Sequence, residues 1–375
     1  MRVIIAGGGS GGHLFPGIAV AEELIKKARA EVLFVGSEKG IESRVVPKKG
    51  YRIRYLPAEG VMGKSLSGKL KALYKLALSL FEARRLLSST RPDIVIGTGG
   101  YASVSPVLVA RLMSIPVLIM EQNVVPGAAN KLLGKLANAV ALTYQESITA
   151  FAKPKCYLTG NPVRPEIISG SHKPSYELFG LEPGLFTVFI FGGSSGSRSI
   201  NNAMINALNY MLDVRESVQF LHQTGEQDYQ SVREAYRKLG FRAMVVPFIY
   251  QMPEAYSVAD LVVSRAGATT LAELTALGKP SILIPYPHAG EHQDFNARKL
   301  EEFGAARLIR DRELTGEVLS AELKKLLNSP GERNEMGTKS KAIGKPDAAE
   351  RAAELALSLV RARSRHSSQR RNGHV

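Results

Sequence analysis

The sequence of 375 residues predicts an α/β protein with two Rossmann-like domains of parallel sheet that face each other across a central cleft. Short apolar runs alternate with helix-length segments along nearly the whole chain. Glycine-rich turns at 7–12 and 192–196 each follow such a run and each precede a helix-length segment. The length is sufficient for two domains with separate hydrophobic cores.

Strands are predicted where short, β-branched apolar runs lie between helix-length segments. In the first half these runs are Val3–Ala6, Val32–Val35, Ile53–Leu56, Ile94–Gly97, Val117–Met120, Ala139–Leu142 and Cys156–Leu158. In the second half they are Thr187–Phe191, Val218–Leu221, Ala243–Phe248, Leu261–Ser264, Ser281–Ile284 and Ala306–Ile309. Because a helix-length crossover joins each strand to the next, we expect parallel pairing in right-handed βαβ units.

The domain boundary is predicted in segment 160–174, which contains X-Pro steps and a Gly/Ser stretch. We expect an N-terminal domain at 1–163 and a C-terminal domain at 164–345. A helix at 346–360 is expected to cross back to the first domain. Residues 361–375 are basic and almost without apolar side chains, so they are expected to form a disordered tail.

The formal net charge of +15 indicates an acidic partner, which leaves nucleic acid, anionic lipid and phosphorylated small molecules open. The one cysteine, Cys156, excludes an internal disulfide and a cysteine-cluster metal site. The first apolar run is too short for a signal peptide, and Arg111 and Pro116 interrupt the most apolar stretch. We therefore expect a soluble, cytoplasmic protein that reaches a membrane only at its surface.

The first turn has the spacing Gly7-x-Gly9-x-x-Gly12, but no acidic residue closes the second strand as a dinucleotide site requires. A glycine-rich turn that precedes a helix is a favourable binding site for an anion, because the first N–H groups of the helix point outward. His13 follows directly, and an imidazole there is suited to proton transfer near neutral pH. A capping or packing histidine is the alternative, and the sequence leaves both open.

Polar groups also follow strands in the second half. Ser194 and Arg198 follow the second turn, either as phosphate contacts or in a structural turn. Glu273 lies in a segment of small residues, where its carboxylate either accepts bonds from two vicinal sugar hydroxyls or is solvated or paired within a capped helix. Segment 285–296 is either a ligand loop or an exposed loop.

In the first half, segments 97–101 and 121–127 follow strands at the same predicted sheet edge as the first turn. Because ligands of parallel sheets bind beyond the carboxyl ends of the strands, we expect these three loops to border one cleft.

Segment 64–87 has apolar residues at helical spacing with lysines between them. It is interpreted either as a surface helix with its apolar face in the core or as an interfacial membrane helix. The residues proposed for membrane contact are Leu66, Leu70, Leu73, Phe81, Lys69 and Lys75.

Several motifs together resemble the MurG family of N-acetylglucosaminyltransferases over about residues 1–360. They are Gly8-Gly9-Ser10-Gly11-Gly12-His13-Leu14-Phe15-Pro16-Gly17, Gly99-Gly100-Tyr101, Glu121-Gln122-Asn123-x-x-Pro126-Gly127, Gly160-Asn161-Pro162-Val163-Arg164, Gly192-Gly193-Ser194-x-Gly196, Arg265-Ala266-Gly267-Ala268 with Glu273, and His292-Gln293-x-x-Asn296-Ala297.

The resemblance implies the GT-B fold and transfer of N-acetylglucosamine (GlcNAc) from UDP-GlcNAc to the C4 hydroxyl of the muramoyl sugar in lipid I. The product would be lipid II for peptidoglycan synthesis, formed with inversion and with neither metal nor cofactor. The N-terminal domain would be the acceptor and membrane side, and the C-terminal domain the donor side. The family also implies a peripheral position on the cytoplasmic face of the inner membrane, with cell-wall or division proteins as possible partners and no nucleic acid.

The resemblance also assigns site residues. His13 would be the catalytic base. The matching donor-binding positions are Ser10, Gly11, Gly12, Asn123, Arg164, Ser194, Ile249, Ala268, Thr269, Thr270, Leu271, Glu273 and Gln293, and those on the acceptor side are Tyr101, Glu121 and Gln122. Glu273 would bind the ribose, Ser194 and the 268–271 backbone the diphosphate, and Gln293 the sugar hydroxyls. Ile249 and Arg164 would lie near the uracil end.

One position departs from the family, since many members carry two glutamines where this chain has His292-Gln293. Two rival functions remain open. One is a GT-B transferase or epimerase that uses UDP-GlcNAc with a different acceptor. The other is a binding module for an anionic polymer, which only the net charge suggests.

Overall fold

The computed structural model describes residues 1–57, 66–170, 174–287 and 292–372. The chain divides into two compact units. Unit 1 comprises Met1–Arg164 and the C-terminal segment from Pro346, and unit 2 comprises Pro165–Lys345.

Unit 1 contains one parallel sheet of seven strands in the order β3-β2-β1-β4-β5-β6-β7. The strands are β1 Arg2–Gly7, β2 Glu31–Gly36, β3 Arg52–Tyr55, β4 Ile94–Gly99, β5 Val117–Glu121, β6 Ala139–Leu142 and β7 Cys156–Leu158. The helices between them are α1 Gly11–Ala28, α2 Glu42–Lys48, α3 Leu66–Thr90, α4 Val104–Leu112 and α5 Ala128–Leu136. Because successive side chains of a strand point to opposite faces, Val3 and Ile5 enter one apolar layer and Ile4 and Ala6 the other.

Unit 2 contains a six-stranded parallel sheet in the order β10-β9-β8-β11-β12-β13. Its strands are β8 Phe186–Phe191, β9 Val218–Gln223, β10 Arg242–Val246, β11 Leu261–Ser264, β12 Ser281–Leu283 and β13 Arg307–Leu308. Its helices are α6 Pro165–Gly170, α7 Arg198–Asn209, α8 Tyr229–Leu239, α9 Met252–Val258, α10 Ala268–Leu277, α11 His292–Glu302, α12 Gly316–Asn328 and α13 Pro330–Ile343. The predicted fold class is therefore confirmed, and each predicted strand is present with its ends moved by at most two residues.

The last helix, α14 Ala348–Asn372, belongs to unit 1. Ala352, Ala353 and Ala356 are fully buried in the same apolar layer as α1, and Lys27 of α1 pairs with Glu350 and Glu354. The expectation of a disordered tail from Arg361 is wrong up to Asn372, where the helix ends. Arginine and alanine are good helix formers, and no glycine or proline interrupts this segment before Gly373.

The side chains of α3 can be described from residue 73 onward. Its buried positions include the small residues Ser79 and Ala83, whereas Leu73 and Phe81 are 62% and 67% exposed. The interpretation that places the whole apolar face of this helix in the core is therefore wrong for Leu73 and Phe81. Leu66, Leu70 and Lys69 have side chains outside the described part, and residues 64 and 65 lie outside it entirely. Among the described residues, no helix is both long and apolar enough to cross a membrane.

A buried network of side-chain hydrogen bonds links β9 to the helices α7 and α8 of unit 2. His222 is fully buried, with Nε2 3.1 Å from Asn201 Oδ1 and Nδ1 3.2 Å from the Tyr236 hydroxyl. Since the Asn201 amide nitrogen donates to Thr224 and Asp228, its oxygen faces His222 as an acceptor. The proton of the neutral ring is therefore on Nε2, and Nδ1 accepts from Tyr236. Burial lowers the pKa of His222 to about 3.

This buried imidazole predicts a loss of stability in acid. Below the ordinary pKa of 6.5 the unfolded chain takes up a proton that the folded chain refuses, so the free energy of unfolding falls by about 1.4 kcal/mol per pH unit. The free energy of unfolding, measured with urea at several pH values between about 6 and about 4, should fall more steeply with decreasing pH for the wild type than for His222→Gln. An equal change of the free energy of unfolding with pH in the two proteins would show that His222 does not contribute to acid unfolding.

Candidate active site

The first glycine turn joins β1 to α1 and has backbone angles that favour glycine. Gly8 and Gly9 have φ values of +155° and +85°, a range that residues with a side chain rarely adopt. A Cβ atom at Gly8 would lie 2.2 Å from a carboxylate oxygen of Glu42, so no larger residue fits there. The turn is therefore built around Glu42, which begins α2.

Glu42 supplies the anion for this turn from within the chain. The residue is 1% exposed, and its Oε2 accepts from the Gly9 amide at 2.8 Å. Its Oε1 accepts from the Ser37 amide at 2.8 Å and from the Ser37 hydroxyl at 2.9 Å. Because these donors already have a carboxylate, the Gly9 amide does not contribute to a phosphate site. The sequence pattern of the turn alone does not show this.

His13 lies in the first turn of α1, with its ring against the end of β4. Its Nδ1 is 3.0 Å from the carbonyl oxygen of Thr98. A carbonyl can only accept, so Nδ1 carries the proton of the neutral ring and Nε2 carries the lone pair. Gly99, with φ +108°, makes room for the ring, since a Cβ there would lie 2.6 Å from Nδ1.

The pKa of His13 is lowered from its ordinary value. Burial is the dominant cause, and it outweighs the opposing effects of the Glu121 charge, the Thr98 carbonyl, the Gln122 side chain and the Glu42 charge. The neutral imidazole is therefore the main form near neutral pH, and Nε2 is able to accept a proton.

Glu121, at the end of β5, organises the loop that follows it. Its Oε1 accepts from the backbone and side-chain nitrogens of Asn123 at 2.9 and 3.1 Å. Its Oε2 accepts from the Gly127 amide at 3.1 Å and from Asn130 Nδ2 at 2.9 Å. The buried carboxylate of Glu121 therefore fixes Asn123 and the loop that leads to α5.

The other predicted residues of unit 1 lie around the same sheet edge. Gln122 is buried and donates to the Thr98 carbonyl, which thus receives two donors, whereas the Tyr101 side chain is half exposed. Arg164 places its guanidinium 4.3 Å from the centre of the Phe15 ring on α1. Unit 1 therefore brings together the first turn, His13, Asn123 and Arg164.

The second glycine turn, between β8 and α7, differs from the first. Gly193 and Gly196 have φ values of +99° and +76°, and a Cβ at Gly196 would lie 1.9 Å from the Thr224 carbonyl oxygen. Ser194 and Ser195 are exposed at its tip. The side chain of Gln223, at the end of β9, donates to the Gly193 carbonyl at 2.9 Å.

Gln223 also holds Ile249. Its Oε1 accepts from the Ile249 amide at 2.8 Å, so one side-chain amide joins the second turn to the segment expected at the uracil end. Gln223 is 3% exposed, and sequence reasoning missed it because nothing in the chain pattern separates it from an ordinary strand residue.

Helix α10 presents the residues expected to hold the diphosphate and the ribose. Gly267 precedes it in an extended conformation, and Ala268, Thr269 and Leu271 in its first turn are buried. Glu273 is 3% exposed, and its Oε2 accepts from the Tyr256 hydroxyl at 2.9 Å. Glu273 is therefore not solvated, and the paired alternative describes at least one of its oxygens.

Arg265 is a further residue whose role the sequence did not reveal. One guanidinium nitrogen donates to the carbonyls of Ile284 and Pro285 and to Asp311, and the other donates to the Ser199 hydroxyl. This network connects the start of α7 with the strand end that leads toward Gln293.

The predicted sugar-binding loop is described only in part. Gln293 Oε1 accepts from the Tyr286 amide at 3.0 Å, which fixes this side chain against the end of the strand. Residues 288–291 of the predicted polar loop lie outside the described residues. In the described ranges, no three His, Cys, Asp or Glu side chains are grouped so as to hold a metal ion.

Comparisons with known proteins agree with this arrangement. Residues 3–142 match the glycosyltransferase family 28 N-terminal domain, and residues 187–352 match the corresponding C-terminal domain. The chain is 55% identical over 363 residues to the UDP-N-acetylglucosamine--N-acetylmuramyl-(pentapeptide) pyrophosphoryl-undecaprenol N-acetylglucosamine transferase of Thermodesulfovibrio yellowstonii, which covers 96% of this chain and 99% of that protein. The enzyme of the same name from Myxococcus xanthus is 47% identical, covering 96% and 93%. The chain belongs to the MurG family.

Solved structures support the same assignment. The crystal structure of Acinetobacter baumannii MurG matches with a TM-score of 0.75 and 29% identity, covering 95% of this chain and 99% of that one. A UDP-GlcNAc 2-epimerase from Neisseria meningitidis has a TM-score of 0.70 at 16% identity, covering 96% and 100%, which shows a shared fold only. The chain is thus a family 28 glycosyltransferase with the GT-B fold of MurG.

The carboxylate in the first turn gives a testable prediction. In Glu42→Gln, one acceptor oxygen becomes an NH₂ group that faces the Gly9 amide or the Ser37 donors. We expect the free energy of unfolding to fall by about 1–3 kcal/mol, because a buried donor then has no acceptor. Urea unfolding measures the change, with Glu31→Gln at the exposed start of β2 as the matched control. Equal stability of the two variants would contradict the role given to Glu42.

Proposed function

We propose that the chain transfers GlcNAc from UDP-GlcNAc to the C4 hydroxyl of the muramoyl sugar in lipid I, with inversion, to give lipid II. The names of the relatives at 55% and 47% identity support this reaction. The observation that carries the mechanism is the hydrogen bond from His13 Nδ1 to the Thr98 carbonyl, because it leaves the Nε2 lone pair for the acceptor.

His13 is the general base of the proposed reaction. As the C4 oxygen forms its bond to C1 of GlcNAc, its proton passes to Nε2, and the bond from C1 to the diphosphate breaks with its electron pair on UDP. The Thr98 carbonyl accepts from Nδ1 both before and after this transfer, so the ring need not turn. The charges of Glu121 and Glu42 favour the imidazolium that forms.

Unit 2 supplies most of the proposed donor contacts. Glu273 would accept from the ribose hydroxyls, and Ser194 with the backbone of 268–271 would bind the diphosphate, where the start of α10 favours negative charge. Gln293 would bind the hydroxyls of the transferred sugar. Ile249 would contact uracil through its carbonyl, since Gln223 occupies its amide.

From unit 1, Ser10, Gly11, Gly12, Asn123 and Arg164 would complete the contacts to the substrates, and Tyr101 is proposed on the acceptor side. Glu121 and Gln122 would act through the loop and the Thr98 carbonyl that they hold.

Helix α3 supports a peripheral position on the cytoplasmic face of the inner membrane. Leu73, Tyr74, Leu78 and Phe81 are exposed along it, and exposed Arg84 and Arg85 follow within the next turn. Apolar side chains flanked by cations suit the surface of an anionic bilayer, where each nearby cation contributes about 1 kcal/mol. This position would bring the enzyme to its lipid-linked acceptor.

A different acceptor for the same donor is the second candidate. The shared fold of the UDP-GlcNAc 2-epimerase shows that this architecture also serves other UDP-GlcNAc chemistry. Competition between a lipid I analogue and other acceptor sugars, read as UDP release, separates the two. Faster release of UDP with another acceptor sugar than with the lipid I analogue would overturn the proposal.

The base role predicts that His13→Ala lowers kcat by roughly 10²- to 10⁴-fold, because the variant lacks the imidazole that takes the acceptor proton. Release of UDP from UDP-GlcNAc with a lipid I analogue measures kcat, and the Kd for UDP-GlcNAc serves as the control. In the wild type the acid limb of the kcat/KM–pH profile, which reports the free enzyme, should lie below the usual histidine value of 6.5. An unchanged kcat in the variant would remove His13 from this role.

The membrane role predicts that Leu73→Ser with Phe81→Ser releases the enzyme from vesicles that contain anionic lipid. Both side chains are exposed, so the double variant should keep its fold and its circular dichroism spectrum. The matched control is Tyr210→Ser, which changes a half-exposed aromatic residue of unit 2. Cosedimentation measures binding, and a folded double variant that still binds as the wild type does would contradict the proposal.

A further inference from the structure

Tyr256 on α9 is a fully buried tyrosine whose ring is fixed by aromatic neighbours. Its ring meets Phe189 edge to face at 5.7 Å and 75°, and Phe191 at 6.2 Å and 76°. Both phenylalanines lie on β8, and Phe191 is its last residue before the second glycine turn. Edge-to-face packing on two rings leaves the tyrosine hydroxyl little freedom to move.

The hydroxyl is directed at the carboxylate of Glu273. It donates to Oε2 at 2.9 Å, and Glu273 itself is 3% exposed on α10. The planar carboxylate group of a glutamate rotates about the Cγ–Cδ bond. A hydrogen bond that holds one oxygen therefore also sets the direction of the other oxygen. Hydrogen bonds to an ionised group are stronger than neutral ones, which makes the phenol an effective anchor.

We propose that Tyr256 is a positioning residue that orients Glu273 to accept from both vicinal hydroxyls of the donor ribose. This inference rests on the proposed function, in which Glu273 contacts the ribose. Tyr256 does not touch the nucleotide in this arrangement, and its effect passes through the carboxylate. It therefore sets the preference of the enzyme for a ribonucleotide over a deoxyribonucleotide.

The same ring ties the ribose contact to the diphosphate contact. Phe191 precedes Gly192, so the packing that fixes Tyr256 also fixes the strand end from which the second turn begins. A single aromatic cluster thus sets the distance between the carboxylate and the exposed Ser194. Removal of the hydroxyl alone leaves this packing in place and isolates the effect on Glu273.

The experiment compares Tyr256→Phe with the wild type in the binding of UDP and 2′-deoxy-UDP. We expect the Kd for UDP to rise roughly ten-fold, with a much smaller change for 2′-deoxy-UDP, because the second hydroxyl contact is the one that needs the fixed carboxylate. In turnover, the KM for UDP-GlcNAc should rise while kcat at saturating donor stays near the wild-type value.

The matched control is Tyr236→Phe. Tyr236 is also a buried tyrosine of unit 2, but its hydroxyl contacts His222. This control should cost stability and leave the ratio of the two Kd values unchanged. The ratio does not depend on the fraction of protein that is folded, so partial unfolding of either variant does not obscure the result.

The possible outcomes separate the inference from the function on which it rests. If Tyr256→Phe weakens UDP and 2′-deoxy-UDP equally, Tyr256 has only a structural role and the inference is wrong, while the proposed function stands. If the wild type does not distinguish the two nucleotides and Glu273→Gln binds UDP normally, the ribose contact of Glu273 itself is wrong. A selective loss of the preference in Tyr256→Phe supports both.

Discussion

The parallel pairing of β1 with β4 is the constraint on which the position of His13 in unit 1 depends. The register places Ala6 beside Gly97 and then slips at Gly7, which pairs with Gly99. Thr98 lies at this slip, and its carbonyl accepts from the ring of His13 on α1. One backbone hydrogen bond therefore sets which histidine nitrogen is basic, and Gly99 keeps the space that the ring needs. The chemistry proposed for this protein is already determined by the geometry of the sheet.

The two glycine turns illustrate how one backbone motif serves different purposes. Both follow a central strand and both have residues with positive φ, yet the first encloses the carboxylate of Glu42 and the second exposes Ser194 and Ser195. A parallel sheet presents amide groups at the ends of its strands. Which side chain reaches those amides decides whether the turn is structural or binds a ligand.

Much of the fold and part of the candidate site could be predicted because they depend on local sequence. Strand runs and glycine turns are determined within a few residues. His13 stands out by its place directly after the first turn, and Glu273 by its segment of small residues. Gln223 and Tyr256 could not be found in this way, because their partners lie far along the chain and only the folded sheet brings them together. For α3 the sequence left two interpretations open, because helical spacing does not show whether an apolar face is covered.

The internal carboxylate of the first turn also bears on inhibitor design. Compounds that imitate a nucleotide diphosphate carry negative charge, and near Gly8 and Gly9 they would meet the Glu42 carboxylate at close range. Repulsion there would favour compounds whose substituents toward this turn are neutral or cationic. The turn in unit 1 therefore favours ligand groups of the opposite charge to those proposed for the exposed turn of unit 2.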